Sequence, residues 1–321
     1  METANARLSE KSGKITDLLN RYSTLAILLL MIVIITICEP LFISPMNILN
    51  VIRQISIIAI AGFGVTMIII TTGIDLSLGS IIAIASVTSA SFAHPGEYPL
   101  IVTILVGLAG GVLAGLVNGL LVAYAKLPAF IATLGMMISA RGVAYIITKG
   151  HPVTGFSKEF DFIGRGYLLG IPFIIYVLLF CGIVSYVILR HTKLGRCIYA
   201  VGGNEQAAIV SGINVKKTLM FVYTYSGLMS AVSGILLASR LSSGQPTAGT
   251  GYELDAIAGA VIGGTSLSGG IGTIQGTFIG ALIIGVLNNG MDLLHVSAYW
   301  QMLARGAIIV GAVLLDRLRN K

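Results

Sequence analysis

The sequence predicts an all-α integral membrane protein of about ten transmembrane helices. Of its 321 residues, 55% are hydrophobic and only 10% are charged, whereas a soluble domain carries about a quarter charged residues. The hydrophobic residues fall into runs of about 20, the length that a helix needs to cross roughly 30 Å of hydrocarbon. The 40 glycines fit this fold class, because small residues let helices approach one another closely in a bilayer.

Ten hydrophobic runs are the predicted spans. They lie near 23–43, 48–70, 79–93, 100–124, 128–148, 170–190, 217–239, 255–269, 273–290 and 298–315. The third and the eighth run are short, and each adjoins a glycine-rich polar segment. We expect these two runs to be broken or partial crossings, because lipid tolerates no exposed irregular backbone.

The predicted organisation is a cytoplasmic N-terminal segment, 1–22, a transmembrane domain, 23–315, and a cytoplasmic tail, 316–321. No small-residue cleavage site follows the first apolar run, so we expect a retained helix rather than a signal peptide. Thirteen Lys and Arg residues lie in segment 1–22, at Lys126, in loop 190–217 and in the tail, against at most five in the segments on the opposite side. This asymmetry places both termini in the cytoplasm. The net charge of +7 is spread between apolar runs, which argues against a nucleic-acid-binding face.

A weak internal repeat relates the two halves of the chain. Three matches recur in the same order: Thr72–Leu76 with Thr250–Leu254, Asn118-Gly119 with Asn289-Gly290, and Ala140-Arg141-Gly142 with Ala304-Arg305-Gly306. Five spans separate the copies, and an odd number turns the second copy upside down. Inverted repeats are a recurrent transporter design in which the substrate path lies between the halves.

Two polar interruptions of the apolar pattern are the candidate substrate path. Segment 71–80 contains an acid and four hydroxyl residues, and segment 244–273 contains two carboxylates among glycines and hydroxyls. The candidate path residues carry a hydroxyl, carboxylate or amide: Thr72, Asp75, Ser77, Asn118, Thr250, Glu253 and Asn289. A carboxylate at membrane depth is costly, so Asp75 is expected to face the protein interior or a water-filled path. In the alternative interpretation, Asp75 caps the next helix and segment 244–273 is a surface loop with a helix cap.

Arg141 and Arg305 lie within apolar spans. Each either extends its guanidinium toward a membrane interface or pairs with a carboxylate such as Asp75 or Glu253.

Loop 190–217 is predicted to hold a short helix over 203–213. Asn204 provides a cap, Glu205 suits the first turn, and Gly212 ends the helix. An apolar side makes this helix a docking element for a soluble motor subunit, and the alternative is a surface helix lying on the bundle. The candidate coupling residues are Gly203, Asn204, Glu205, Ala207, Ala208, Ser211 and Gly212.

Residue patterns of enzymatic or metal-binding chemistry are not found in the sequence. The Gly13-Lys14 pair lacks the upstream glycine and the following Ser or Thr of a phosphate-binding P-loop. The three cysteines form no C-x-x-C pair, and the four histidines form no H-E-x-x-H motif. We therefore expect no catalytic residues, no metal site and no cofactor in this chain.

Three segments carry a resemblance to a known family. They are Gly73–Ser80 (GIDLSLGS), Gly202–Ile213 (GGNEQAAIVSGI) and the run from Gln245 to Thr273. With these segments, in this order, the chain resembles the permease subunits of bacterial ribose-type ABC importers, which also carry xylose, arabinose, galactose and allose. The resemblance covers nearly the whole chain from about residue 22, and it is strongest to the ribose permease subunits.

The resemblance implies a permease domain over 23–315 that moves a monosaccharide, with ribose the first choice, across the bacterial cytoplasmic membrane. It implies a homodimer, a cytoplasmic subunit that binds ATP and Mg²⁺, and an extracytoplasmic sugar-binding protein. The main alternative is an ion-coupled secondary transporter of a small polar solute, which would share the repeat and the buried Asp75. An intramembrane enzyme is a further alternative, and it lacks the residue pairs that it requires.

Overall fold

The computed structural model describes residues 24–319. The helices are α1 (Thr24–Cys38), α2 (Pro45–Ile70), α3 (Leu78–Ser91), α4 (Leu100–Ala123), α5 (Ala129–Thr148), α6 (Lys158–Arg165), α7 (Phe173–His191), α8 (Lys193–Gly203), α9 (Glu205–Val210), α10 (Val215–Leu241), α11 (Tyr252–Ile262), α12 (Ile274–Leu293) and α13 (Ala298–Arg319). A 3-10 turn, Pro40–Ile43, precedes α2. Four two-residue strands are β1 (Val153–Thr154), β2 (Tyr167–Leu168), β3 (Ile171–Pro172) and β4 (Ser243–Gly244).

The helices match the ten predicted spans in order. Six of them (α2, α4, α5, α7, α10 and α12) are long and apolar enough to cross a membrane, and α1 and α3 are shorter apolar helices. The eighth span was placed wrongly at 255–269: helix α11 ends at Ile262, because Gly263 and the positive-φ Gly264 terminate it. The tail predicted from 316 continues α13 as far as Arg319. Segment 1–22 lies outside the described residues.

The loops gather at two ends of the bundle. At one end, here called the ribbon end, β1 pairs with β4 and the Arg165 guanidinium donates to Ser242 Oγ at 2.7 Å. At the other end, the α8–α9 end, the Tyr199 hydroxyl donates to Gly272 O at 2.7 Å, and Gly270 N–H donates to Ile70 O at 2.9 Å. The loops that gather at each end are the ones that the count of Lys and Arg residues assigns to the same side of the membrane.

Helix packing follows the internal repeat. In the first half α3 packs against α4 and α5, and in the second half α11 packs against α12 and α13. The two halves then exchange helices, since α10 packs on α3 and α4 while α2 packs on α11 and α12. Helices α2 and α10 are consequently the most buried long helices, and the broken crossings lie between them and the outer helices.

A glycine stripe on α4 brings this helix against α10. Gly107, Gly111, Gly115 and Gly119 recur every fourth residue, so they share one helix face. A Cβ added at Gly115 would lie about 2.5 Å from Tyr223 O and 3.0 Å from Thr224 Cα. Such backbone-to-backbone contact is how membrane helices associate where no hydrophobic force drives them together.

Replacing Gly115 with Ala should destabilise the bundle by about 1–3 kcal/mol, because the added methyl meets α10 backbone that has no rotamer to change. The measurement is the thermal unfolding midpoint of the purified permease in detergent. Gly135→Ala is the matched control, since nothing lies within 4 Å of a Cβ there and both variants gain the same helix propensity. Equal midpoints for the two variants would contradict the close α4–α10 contact.

Candidate functional site

The first broken crossing is the non-helical segment 71–77 between α2 and α3. Gly73 N–H folds back to Ile68 O at 3.0 Å and ends α2. Thr72 has a φ of 63°, a left-handed conformation that is unusual for a β-branched residue and is typically held only by its surroundings. The chain then continues without regular secondary structure to Ser77, the N-cap residue of α3.

Asp75 holds this segment together. Its side chain is 1% exposed. Oδ1 accepts from Ser77 N at 2.8 Å and from Ser77 Oγ at 2.6 Å, and Oδ2 accepts from Ser226 Oγ of α10 at 3.1 Å. Asp75 therefore binds Ser77, the residue before α3, and ties it to α10. The side chain faces the protein interior, but the N-cap of α3 is Ser77 and not Asp75, so the capping interpretation is wrong.

Asn118 joins the same network from α4. Its Nδ2 donates to Ser77 Oγ at 2.9 Å, so Asp75, Ser77 and Asn118 of the predicted set lie together. Nearby, Thr133 Oγ1 of α5 donates to Ile74 O at 3.1 Å. The Tyr223 hydroxyl of α10 lies against Gly73, where a side chain would collide with it. Thr72 is exposed on the side of the α8–α9 end and does not join the network.

The second broken crossing is the segment 245–251 between β4 and α11. It descends along α3, since Gly244 lies against Ala90 and Gly249 lies against Ile82. Arg141 of α5 binds its backbone, and Nη1 donates to Pro246 O at 2.6 Å and to Ala248 O at 2.8 Å. The guanidinium therefore supplies the hydrogen bonds that an irregular segment lacks inside the bundle.

Glu253 stands in the first turn of α11, where a negative charge suits the helix dipole. Its Oε1 accepts from Gly251 N at 3.2 Å. Its other oxygen and Gly249 O lie so close to Gly79 that a Cβ at that position would overlap both. The second broken crossing and α11 thus meet the first turn of α3 at Gly79, which explains the glycine at this position of the Gly73–Ser80 segment.

A cavity of about 360 Å³ opens at this meeting point. It is lined by Ser80, Met137, Ile138, Arg141, Thr250 and Glu253. A carboxylate, a guanidinium and two hydroxyls here face one small space beside apolar side chains. Such a lining suits a small polyol, because hydroxyl groups both donate and accept hydrogen bonds.

The repeat-related partners of these residues lie apart from the cavity. Arg305 Nε donates to Asn288 Oδ1 at 3.3 Å, and its Nη1 lies 4.0 Å from Asp255 Oδ2. Asn289 exchanges two amide hydrogen bonds with Asn47, of 2.8 and 2.9 Å, near the ribbon end. Asn289 therefore joins α12 to α2, and the structure does not bring it to the other predicted path residues.

The predicted coupling segment forms α9, which is shorter than the expected 203–213. Asn204 Oδ1 accepts from Ala207 N at 2.9 Å as the cap, and Gly212, with a φ of 79°, ends the turn. Gly203 is instead the last residue of α8, a helix that the sequence analysis missed because its glycines hid its periodicity.

Ala207 and Ala208 differ in exposure. Ala208 is buried beside Val201 and Val215, whereas Ala207 is exposed. Glu205, Ser211 and Val210 are exposed too, with Val210 88% exposed.

Tyr199 attaches α8 to the bundle. Burial raises the pKa of the Tyr199 phenol above its usual value, and the nearby Arg190 partly offsets this. The hydroxyl therefore stays protonated and donates to Gly272 O, next to α12.

Comparison with known proteins places these features in a family. A family profile described as "Branched-chain amino acid transport system / permease component" matches residues 47–313. This chain belongs to that permease family. It is 44% identical to the ribose import permease protein RbsC of Bacillus subtilis over 100% of both chains. It is 49% identical to the Haemophilus influenzae protein of the same name over 90% of both chains. No solved structure matches.

Family membership fixes the class of function. The chain is a ribose-type ABC importer permease, a multi-pass protein of the inner membrane that transports rather than catalyses. Membership of this family implies an ATPase partner and a substrate-binding protein. A D-allose transport permease and a galactose permease of Escherichia coli are each 37% identical to it, so relatives with several sugar names share this fold. These import permeases decide against the ion-coupled alternative.

Replacing Asp75 with Leu should destabilise the bundle by about 3 kcal/mol or more. Three buried donors, Ser77 N, Ser77 Oγ and Ser226 Oγ, would lose their acceptor, at about 1 kcal/mol or more each. Asp75→Asn keeps an acceptor for Ser77 and should cost less. The thermal midpoint of the purified permease measures both effects. Thr72→Val, at an exposed site, is the control, and an Asp75→Leu variant as stable as this control would refute the bracing role.

Proposed function

We propose that this permease carries a monosaccharide, ribose in the first instance, through a path that includes the cavity at the two broken crossings. The observation that supports the substrate most directly is the 44–49% identity to ribose import permeases over 90–100% of the chain. The cavity supports it independently, because its charged and hydroxyl side chains match the hydrogen-bonding groups of a sugar.

Five of the seven predicted path residues have a place in this proposal, in two roles. Thr250 and Glu253, joined by Arg141 and Ser80, line the cavity and meet the sugar. Asp75, Ser77 and Asn118 brace the first broken crossing from behind, since Asp75 is 1% exposed and its oxygens are occupied. The contacts to the sugar are few, which suits transport, because tight binding would slow release.

The proposed coupling runs from α9 into the path. Helix α9 docks in a cleft of the ATPase subunit, which binds ATP and Mg²⁺. Only residues 211–214 separate α9 from α10, and Ala208 packs beside Val215 at the start of α10. Further along α10, Ser226 donates to Asp75. A movement of α9 is thus transmitted through packed contacts to the first broken crossing, which favours two discrete arrangements over a continuous one.

The proposed assembly is a homodimer with both termini and the α8–α9 end in the cytoplasm. The Lys and Arg asymmetry between the two ends supports this orientation. The ribbon end then faces the extracytoplasmic sugar-binding protein, and the cavity lies on its way into the bundle. The resemblance of Gly202–Ile213 to the family's coupling segment supports the place of the ATPase subunit.

Glu253→Gln and Arg141→Gln should each lower the initial rate of ribose uptake about tenfold or more. A hydrogen bond to a charged group is worth about 1.5–3 kcal/mol, and 1.4 kcal/mol corresponds to a factor of 10 in rate. Glu253→Gln preserves an acceptor for Gly251 N, so assembly with the ATPase subunit should persist. Uptake is measured in cells that carry the binding protein and the ATPase subunit.

The control for this experiment is Glu97→Gln, the same chemical change at an exposed position of the ribbon end. It should transport ribose at the wild-type rate. Wild-type uptake in both the Glu253 and the Arg141 variants would remove the cavity from the path. A complex whose ATP hydrolysis responds to another sugar and not to ribose would overturn the substrate instead.

Val210→Arg and Ala207→Arg should abolish pull-down of the ATPase subunit or its sugar-stimulated hydrolysis, because a docking surface tolerates little added volume or charge. Ala208 is unsuitable for this test, since it is buried and its replacement would disturb α9 itself. Leu169→Arg is the matched control, because Leu169 is 91% exposed and Val210 is 88% exposed, at opposite ends. Wild-type pull-down and hydrolysis in both α9 variants would place the dock elsewhere.

A further inference from the structure

A groove made of two adjoining cavities lies between α7 and α12, from the α8–α9 end into the membrane-spanning part. Its outer part is a cavity of about 560 Å³ whose lining includes Arg190, Tyr199 and Thr273. Its inner part is a cavity of about 350 Å³ whose lining includes Phe63, Leu178 and Ile183. The two parts share four lining residues: Tyr186, Ile274, Gln275 and Ile279. We call this combined feature the α7–α12 groove.

The groove changes from polar to apolar along its length. The wide end holds a guanidinium, two phenols and two threonine hydroxyls, and the narrow end is lined almost entirely by aliphatic and aromatic side chains. Gly182 contributes no side chain, and this opens the groove beside Phe63. The order of a charged end followed by an apolar channel is the order of groups in a phospholipid.

The length of the groove matches one leaflet. Arg190 and Leu178 both line it and lie twelve residues apart on α7, which corresponds to about 18 Å at 1.5 Å per residue. Half of a hydrocarbon core of roughly 30 Å is about 15 Å. An acyl chain that follows the apolar part would therefore leave its headgroup beside Arg190.

Arg190 supplies the charge for an anionic headgroup. It is exposed in the last turn of α7, and its guanidinium has no hydrogen-bond or ion-pair partner among the residues whose side chains the structure describes, 24–311, 313 and 314. Tyr186 and Tyr199 flank it, and tyrosines are enriched at the level of lipid headgroups. Basic pockets between transmembrane helices are known to bind anionic headgroups.

We propose that the α7–α12 groove binds one anionic phospholipid, its phosphate at Arg190 and an acyl chain against Leu178 and Ile183. Charge favours this occupant over residues 1–23 of the chain itself, because that segment carries four basic and three acidic residues and would bring net positive charge to Arg190. The lipid stays bound as a structural ligand. The groove is separate from the sugar path, because the cavity of that path shares no lining residue with the groove.

The test uses the full-length permease in detergent with phosphatidylglycerol or phosphatidylcholine of the same acyl chains. Native mass spectrometry counts retained lipids, and thermal unfolding reports stabilisation. The wild type should retain one phosphatidylglycerol in preference to phosphatidylcholine. Arg190→Gln should weaken retention of phosphatidylglycerol about fivefold, the factor that corresponds to the ~1 kcal/mol of one basic side chain near a lipid surface. Arg190→Lys should restore most of it.

Two further variants separate the site from general effects. Ile183→Trp fills the apolar part and should weaken retention of both lipids, while Arg196→Gln, at an exposed arginine of α8 that does not line the groove, should change neither. Equal retention of the two lipids by the wild type, or unchanged retention in Arg190→Gln, would overturn the proposal. Stabilisation by inorganic phosphate equal to that by phosphatidylglycerol would overturn it too, as would retention seen only after residues 2–20 are deleted.

Discussion

Irregular backbone inside a membrane bundle must find hydrogen-bond partners within the protein, and this constraint organises the whole structure. Segments 71–77 and 245–251 leave the helical path at membrane depth, where no water replaces the lost intrahelical bonds. A carboxylate provides hydrogen bonds to the first segment, since Asp75 accepts from Ser77 and Ser226. A guanidinium provides them to the second, since Arg141 donates to two carbonyls. The other helices supply the walls that keep these polar groups out of lipid.

The internal repeat produces two similar non-helical segments, which differ in the side chains that hydrogen-bond to them. The first segment is sealed by side chains of α4, α5 and α10 and offers no free carboxylate oxygen. The second is held by Arg141 of the opposite half, whereas the repeat-related Arg305 stays within its own half beside Asp255. As a result, the two repeat-related carboxylates differ: both oxygens of Asp75 are occupied, whereas Glu253, just after the second segment, lines a cavity together with Arg141. The symmetry of the fold thus ends at the side chains that hold the two segments.

Much of the fold was predictable from sequence, because lipid imposes one rule on every span. Hydropathy located the helices, and the two polar interruptions marked both broken crossings. The partner of Asp75 on α10 was not predictable. Ser226 is one of several serines in that helix. Because the helix is mostly buried, its hydrophobic periodicity does not show which serine faces a carboxylate. Asn289 was misplaced for a related reason. The repeat predicts equivalent positions, but Asn47, its partner, has no counterpart in the repeat motif.

The glycine stripe of α4 also has a consequence for the entropy of assembly. When Leu or Ile side chains pack between helices, each loses rotamer freedom worth about 0.5–1 kcal/mol, whereas glycine loses none. The four glycines at 107, 111, 115 and 119 therefore lower the side-chain entropy cost of forming the α4–α10 contact by about 2–4 kcal/mol relative to four Leu residues. In the contact that joins the two halves of the chain, the side chains that become ordered therefore come from α10, such as Ile235 and Met220, and not from these four positions of α4.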